Sequence, residues 1–215
     1  MTASRSISLE GIYPRTMSGQ AVAGLQRRAL RNLLAVEEAV SPEHWQQGRG
    51  WYPAAASSIM EEAAGLPPAV ALGTVAIHSA RTGWRQNRVR ARAVFEQGPA
   101  AAVGTAAQRA AVRRLWQSGN FIQAVGPRAP KIARFGLALA GHWQCVPIDV
   151  WNYGTLLGRQ PTASDLHALA REDRAGAYGL YRLLEAVWLA RARALSMEPA
   201  QHAAALWISV RGRAD

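Results

Sequence analysis

Two residues in this chain have the type and the setting for chemistry at an electrophilic carbon: Lys131 and Asp149. Of 25 Lys and Arg residues 24 are Arg, and Lys131, in the stretch VGPRAPKIARF, is the one lysine. Arginine stays protonated at any working pH, whereas a lysine amine can be tuned to lose its proton and then attacks carbon. Lys131 is therefore either a chance survivor of an arginine-rich composition or a position that requires an amine. Asp149 sits in CVPIDVWNYGTLLG, between Ile148 and Val150 and close to Trp151. A carboxylate in that apolar company is a helix N-cap, a buried reactive group, or both.

The remaining charge indicates the kind of partner. A net charge of +11 points to a polyanion, nucleic acid before an anionic membrane surface. Guanidinium forks favour phosphate, whose oxygens they meet bidentately. No acid occurs from Ala63 to Phe95, and Asp149 is the only one from Gln97 to Ser164, a window that also holds Arg128, Lys131 and Arg134. In SARTGWRQNRVRARAVF, Arg81, Arg85, Arg88 and Arg92 recur at i, i+4, i+7 and i+11, one stripe if the helix begins near Arg81. Trp84, Ala91, Val94 and Phe95 fall on a neighbouring face that packs inward. With no glutamate interleaved, the stripe is either a solvated face or one that phosphates neutralise.

Several classes are excluded. With Cys145 as the sole cysteine there is no intrachain disulfide, no four-cysteine zinc site and no four-cysteine iron–sulfur cluster. The five histidines show no close metal spacing, so neither a metal nor a cofactor is expected. No run of about 18 apolar residues exists and the N-terminus lacks a signal-peptide core. The expectation is a cytoplasmic protein, of a bacterium or an infected host cell, without a membrane partner.

The elements that must hold these residues are helices. Residues 1–17 lack periodicity and read as a flexible tail. Ala21 to Val40 recurs apolar at helical spacing, Ser41-Pro42-Glu43 is a cap, a first-turn proline and an acid, and Trp51 to Ala64 continues to the stop at Gly65-Leu66-Pro67-Pro68. Further helices are expected near 69–80, 84–96, 104–118, 130–140, 149–157, 164–171, 174–195 and 198–210. Nothing alternates with period two for long, so the fold class is all-α. Trp51, Tyr52, Asn32 and Trp207 read as packing between the terminal helices. His78 and His142 read as structural.

At the lysine–aspartate pair, 18 residues apart, the sequence resembles the helix-hairpin-helix DNA glycosylases of the endonuclease III type. Lys131 opens a helix, IARFGLALAG and a loop follow, and Ile148-Asp149-Val150-Trp151 is similar to that family's catalytic aspartate segment. His78-Ser79-Ala80-Arg81 is similar to the helix end that carries its wedge residue. In register the hairpin glycines fall on Pro127 and Ala129, with Gly126 alone nearby, and Trp151 replaces a histidine. The chain is more similar still to small phage-encoded members of that superfamily, which share a terminal tryptophan helix like LWISVRGR.

The resemblance implies two helical lobes around a cleft within one unit over 18–215: lobe A about 68–147, lobe B from 18–67 plus 148–215. It implies duplex DNA as the partner and a base flipped from it as the substrate. Asp149 stabilises the sugar cation as the N-glycosidic bond breaks, and Lys131 forms a Schiff base that permits strand elimination. Ser79, Arg81, Arg85, Arg88, Arg92, Gly126, Arg128, Arg134 and Trp151 are the implied DNA-binding residues. Arg81 or Trp84 is a wedge, or Trp84 is core; Trp151 stacks on the base or packs in the core; Asn87 contacts DNA or caps a helix. Two other readings stand beside the glycosylase: a non-catalytic DNA-binding module on the same scaffold, and a related enzyme of modified-base metabolism.

Overall fold

Capping residues and first-turn prolines start most of the helices. In the computed structural model, which describes residues 19–80, 82–127, 129–170 (Ala170 by its backbone alone) and 179–212, the chain is helical and has no strand among the described residues. The helices are α1 Gly19–Glu37, α2 Pro42–Glu62, α3 Pro68–His78, α4 Trp84–Gln97, α5 Ala106–Ser118, α6 Phe121–Val125, α7 Pro130–Leu139, α8 Val150–Leu157, α9 Ala163–Ala170, α10 Leu180–Ala194 and α11 Pro199–Arg211. Ser41 caps α2 by accepting from the His44 N–H, and Thr105 with Gln108 closes a capping box on α5. Pro42, Pro68, Pro130 and Pro199 stand in first turns, where a missing N–H costs nothing.

Two expectations change. A short helix, α6, lies where no helix is expected: Asn120 caps it and Gly126, with φ 72°, ends it. Five residues are too few for helical periodicity to show in sequence. The helix expected over 174–195 begins at Leu180, where Gly179 in extended backbone is its N-cap; residues 171–178 and the expected tail 1–17 lie outside the described residues.

Three apolar clusters hold the helices together. The first joins α1, α8, α10 and α11 around Leu33, Tyr153, Trp188 and Leu206. The second joins α2, α3, α7 and α11 through Tyr52, Ile59, Val75, Phe135 and Ala204. The third packs Ile77, Val94, Val112 and Leu115 from α3, α4 and α5. Each large side chain so buried favours folding by about 1.5–3 kcal/mol. The second cluster spans the segments expected as separate lobes, so α2 and α11 are fastened to α3 and α7 across one core.

Close helix approaches set the site. A Cβ on Gly48 of α2 would stand 2.5 Å from the Ala205 backbone of α11, and one on Gly136 of α7 2.3 Å from the Phe121 ring. The first contact brings Trp51 and Tyr52 of α2 beside Trp207 of α11, with the Trp51 and Trp207 rings 5.7 Å apart. Among the described residues no helix is long and apolar enough to cross a membrane.

Candidate active site

A pocket of about 560 Å³ opens where α2, α4, α7, α8 and α11 meet, and both Lys131 and Asp149 line it. Its walls are aromatic. Trp51 lies 5.2 Å from Trp84 and 6.1 Å from Phe135, with Tyr52 and Trp207 alongside.

Lys131 is placed by the start of α7. Its Nζ donates to the Ser79 hydroxyl at 2.8 Å and sits 5.0 Å over the Phe135 ring. Ser79 ends α3 and is buried, and its own hydroxyl donates to the Ala76 carbonyl at 2.7 Å. The lysine is thus held through a neutral oxygen. Burial pushes its pKa below the ordinary lysine value, against the opposing pull of Asp149. The sequence leaves the sign of this shift open; the structure supplies it.

Asp149 is the N-cap of α8, and its Oδ1 accepts from the Trp151 and Asn152 N–H groups, each at 2.9 Å. It is also the pocket carboxylate, so the two readings of this residue coincide. Burial raises its pKa above the ordinary carboxylate value, while the Asn152 N–H, Lys131, the Trp151 N–H and the Trp207 indole work the other way. Each group feels the other's charge, yet no ion pair joins the two among the described residues. A gap therefore separates an amine and a carboxylate that both lean toward their neutral forms.

The frame that fixes this gap comes from α10. The segment before Asp149 has no helix or sheet partner, so its backbone groups must be met by side chains. The Tyr181 hydroxyl accepts from the Ile148 N–H and donates to the Val146 carbonyl, both at 2.8 Å. Glu185 accepts from the Val146 N–H at 3.2 Å and from Arg134 at 2.8 and 3.1 Å. Arg134 lies one turn beyond Lys131 on α7. One buried carboxylate thus couples the lysine helix to the aspartate loop.

The arginines divide. Arg85 and Arg92 are exposed on α4, but Arg88 binds Glu62 and the Ser58 hydroxyl, and Arg92 reaches Glu62 at 2.9 Å. The expectation of a stripe without a compensating carboxylate is therefore corrected: the acid comes from α2, not from α4 itself. Arg134 is likewise engaged, by Glu185. Gly126 ends α6, away from the pocket lining. Trp151 lines the pocket and is 37% exposed, so it is not a core residue. Arg81 and Arg128 lie outside the described residues. His78 is structural as expected, fully buried with Nδ1 2.9 Å from the Thr74 carbonyl.

Asn87 is neither an exposed contact nor a cap. It is 1% exposed, lines the pocket, and neither its Oδ1 nor its Nδ2 has a partner. Asn152 Oδ1 on the α8 side is also unpartnered, although its Nδ2 donates to the Pro147 carbonyl. Buried polar atoms left unpaired cost about 1–3 kcal/mol each, so the pocket carries polar capacity that the protein does not use.

Residues 17–214 match the profile of DUF7178, a family of unknown function. The chain belongs to DUF7178. No curated protein and no solved structure matches it. For this DUF7178 chain, then, the pocket geometry is the guide to function. Among the described residues no group of three His, Cys, Asp or Glu side chains could hold a metal ion. What the sequence reading missed are Trp51, Tyr52 and Trp207 as pocket walls and Tyr181 and Glu185 as the frame. The available signal was a glycine, Gly48, amid aromatic and small residues on α2.

Proposed function

We propose that this DUF7178 chain is a DNA glycosylase of the helix-hairpin-helix kind, with lyase capacity through Lys131, that takes a base flipped from duplex DNA into the aromatic pocket. The observation that carries this reading is a desolvated amine and a desolvated carboxylate on the walls of one pocket of about 560 Å³, unpaired with each other. That arrangement suits a reaction at a sugar carbon. As the C1′–N bond breaks, its electron pair leaves on the base and positive charge builds on the sugar. Asp149, in a low-dielectric wall, stabilises that charge more than water would. The nucleophile is either a water that gives its proton to Asp149 or the neutral Lys131 amine. With the amine, the C1′–N bond to Lys131 forms, a nitrogen proton passes to the ring oxygen as the C1′–O4′ bond opens to an iminium, and loss of a C2′ proton to water then expels the 3′ phosphate as the C2′–C3′ double bond forms. Exposed Arg85 supplies a cation for phosphates on the α4 side.

The test is base release and sodium borohydride trapping on duplex DNA carrying damaged bases or an abasic site. Trapping is expected with the parent and lost in Lys131→Ala; base release is expected to fall at least 100-fold in Asp149→Asn, of the order of the loss of a positioned acid–base group. Full base release by Asp149→Asn would remove the enzymatic reading.

One observation favours the non-catalytic DNA-binding module. The turn before Lys131 has a single positive-φ glycine, Gly126, and Pro127 and Ala129 stand where the resembling family has glycines. That reading expects salt-dependent DNA binding without base release, and affinity kept or improved in Asp149→Asn.

A further inference from the structure

We propose that Asn87 reads the edge of the base, and that the ligand this pocket takes is a nucleobase carrying an N–H donor beside a hydrogen-bond acceptor. The inference deepens the glycosylase reading and rests on it for the entry of a base. Three observations carry it. Asn87 is 1% exposed, it lines the same pocket as Lys131 and Asp149, and both atoms of its amide lack partners. Its backbone N–H is already bonded to the Gly83 carbonyl at 2.9 Å, inside the first turn of α4, so the side chain has no capping duty there. Trp84, three residues earlier on α4, stands beside it in the wall, with the Trp51 ring 5.2 Å and the Phe135 ring 6.4 Å away.

A side-chain amide offers one donor and one acceptor in a plane. Its complement is an edge with one acceptor and one donor side by side. Adenine has this at N6–H and a ring nitrogen, cytosine at N4–H and N3, uracil and thymine at N3–H and a carbonyl. The tryptophan and phenylalanine rings offer the flat faces against which such a heterocycle stacks. A phosphate alone, an acceptor without a flat face, would satisfy neither the paired donor and acceptor nor the rings.

The test uses the full chain and four free bases as probes: adenine, cytosine, uracil and N6,N6-dimethyladenine, whose N6 donor is blocked. Binding is read by tryptophan fluorescence and compared between the parent and Asn87→Leu. At least one unblocked base is expected to bind, with Asn87→Leu weakening it about 5- to 150-fold, the discrimination a bidentate amide–base pair carries. Dimethyladenine is expected to bind no better than to Asn87→Leu. Because leucine removes an unpaired amide and keeps the volume, Asn87→Leu is expected to melt at or above the parent temperature.

Equal base binding by parent and Asn87→Leu, no binding of any unblocked base, or an Asn87→Leu chain that melts lower or fails to fold would each overturn the proposal. The underlying reading fails separately. If the parent neither traps nor releases base yet binds a free base through Asn87, the catalytic assignment falls and base recognition stands. If the parent traps and Asn87→Leu binds bases unchanged, the reverse holds.

Discussion

Replacing Glu185 by leucine tests whether one buried carboxylate fixes the distance between Lys131 and Asp149. The Glu185 side chain is 8% exposed and receives two hydrogen bonds from Arg134 and one from the Val146 N–H. Leucine keeps most of the volume but leaves the Val146 N–H unpaired, at about 1–3 kcal/mol. It also leaves the Arg134 guanidinium without its anion. Losing one member of a fully buried pair costs about 3–5 kcal/mol; because the Arg134 side chain is 24% exposed, water recovers part of that. We take about 4 kcal/mol for the two effects together. For a domain of this size, that lowers Tm by about 8–16 °C. The assay is thermal and urea unfolding followed by circular dichroism at helical wavelengths. Arg134→Met alone is also expected to destabilise, since it strands Glu185. The double variant Arg134→Met with Glu185→Leu should recover at least about 2 kcal/mol relative to the sum of the singles, because only the Val146 N–H then remains unpaired. A Glu185→Leu chain melting within about 3 °C of the parent, less than 1 or 2 kcal/mol on the same scale, would refute this reasoning. So would single-variant losses that simply add.

Four other outcomes follow from the same geometry. Arg85→Gln should lower the slope of log K against log salt for DNA by about 1, whereas Arg88→Gln, already committed to Glu62 and Ser58, should leave that slope unchanged and lower Tm instead. Because Asp149 raises the pKa of Lys131, Asp149→Asn should move the pH dependence of borohydride trapping on abasic DNA toward lower pH; no shift, or a shift upward, would contradict the coupling. Gly136→Ala should cost about 1–3 kcal/mol in unfolding experiments, since the new Cβ would lie 2.3 Å from the Phe121 ring. In the pH range where both groups are ionised in the folded chain, the combined Lys131→Met and Asp149→Asn variant should melt higher than the parent. The raised pKa of Asp149 contributes stability only below its ordinary range and loses it as pH rises through the folded value. The lowered pKa of Lys131 contributes only above the ordinary lysine value and loses it as pH falls through the folded one. Each group, where it is ionised in the folded chain, weakens the fold through the cost of its burial.

Composition and local context made part of this legible. A single lysine among arginines and a carboxylate between Ile148 and Val150 are visible in the one-letter sequence, and both line the pocket. The caps at Ser41 and Asp149 are local patterns, set within three residues, and they form as such. What the sequence hides is which helix meets which. Arg88 finds Glu62 across 26 positions and Arg134 finds Glu185 across 51. Helical periodicity shows the face a helix offers but not the neighbour that covers it, so both arginines read as free for phosphate. Trp51 and Trp207 belong to helices near opposite ends of the chain and become neighbours only because Gly48 lets α11 approach. The inward turn of Asn87 was hidden for a related reason. On α4 it stands among arginines, and only the contact of α4 with α2 and α3 decides that this side is buried.

The buried Arg134–Glu185 pair argues about purpose as well as stability. A well-packed apolar pair in the same place would hold α7 and α10 together at no greater cost, and often at less. Apolar side chains could not, however, meet the Val146 N–H, and together with Tyr181 the carboxylate satisfies three backbone groups in the three residues just before Asp149. The network therefore sets the course of a loop that has no secondary structure to set it. That loop ends on Asp149, which lines the same pocket as Lys131, and Lys131 lies three positions before Arg134 on α7. A frame of this kind fixes the place of Asp149 relative to α7, which is the positioning that the proposed chemistry would need. A surface that only gathered phosphates would have no use for it, since cations on flexible stems serve there equally well.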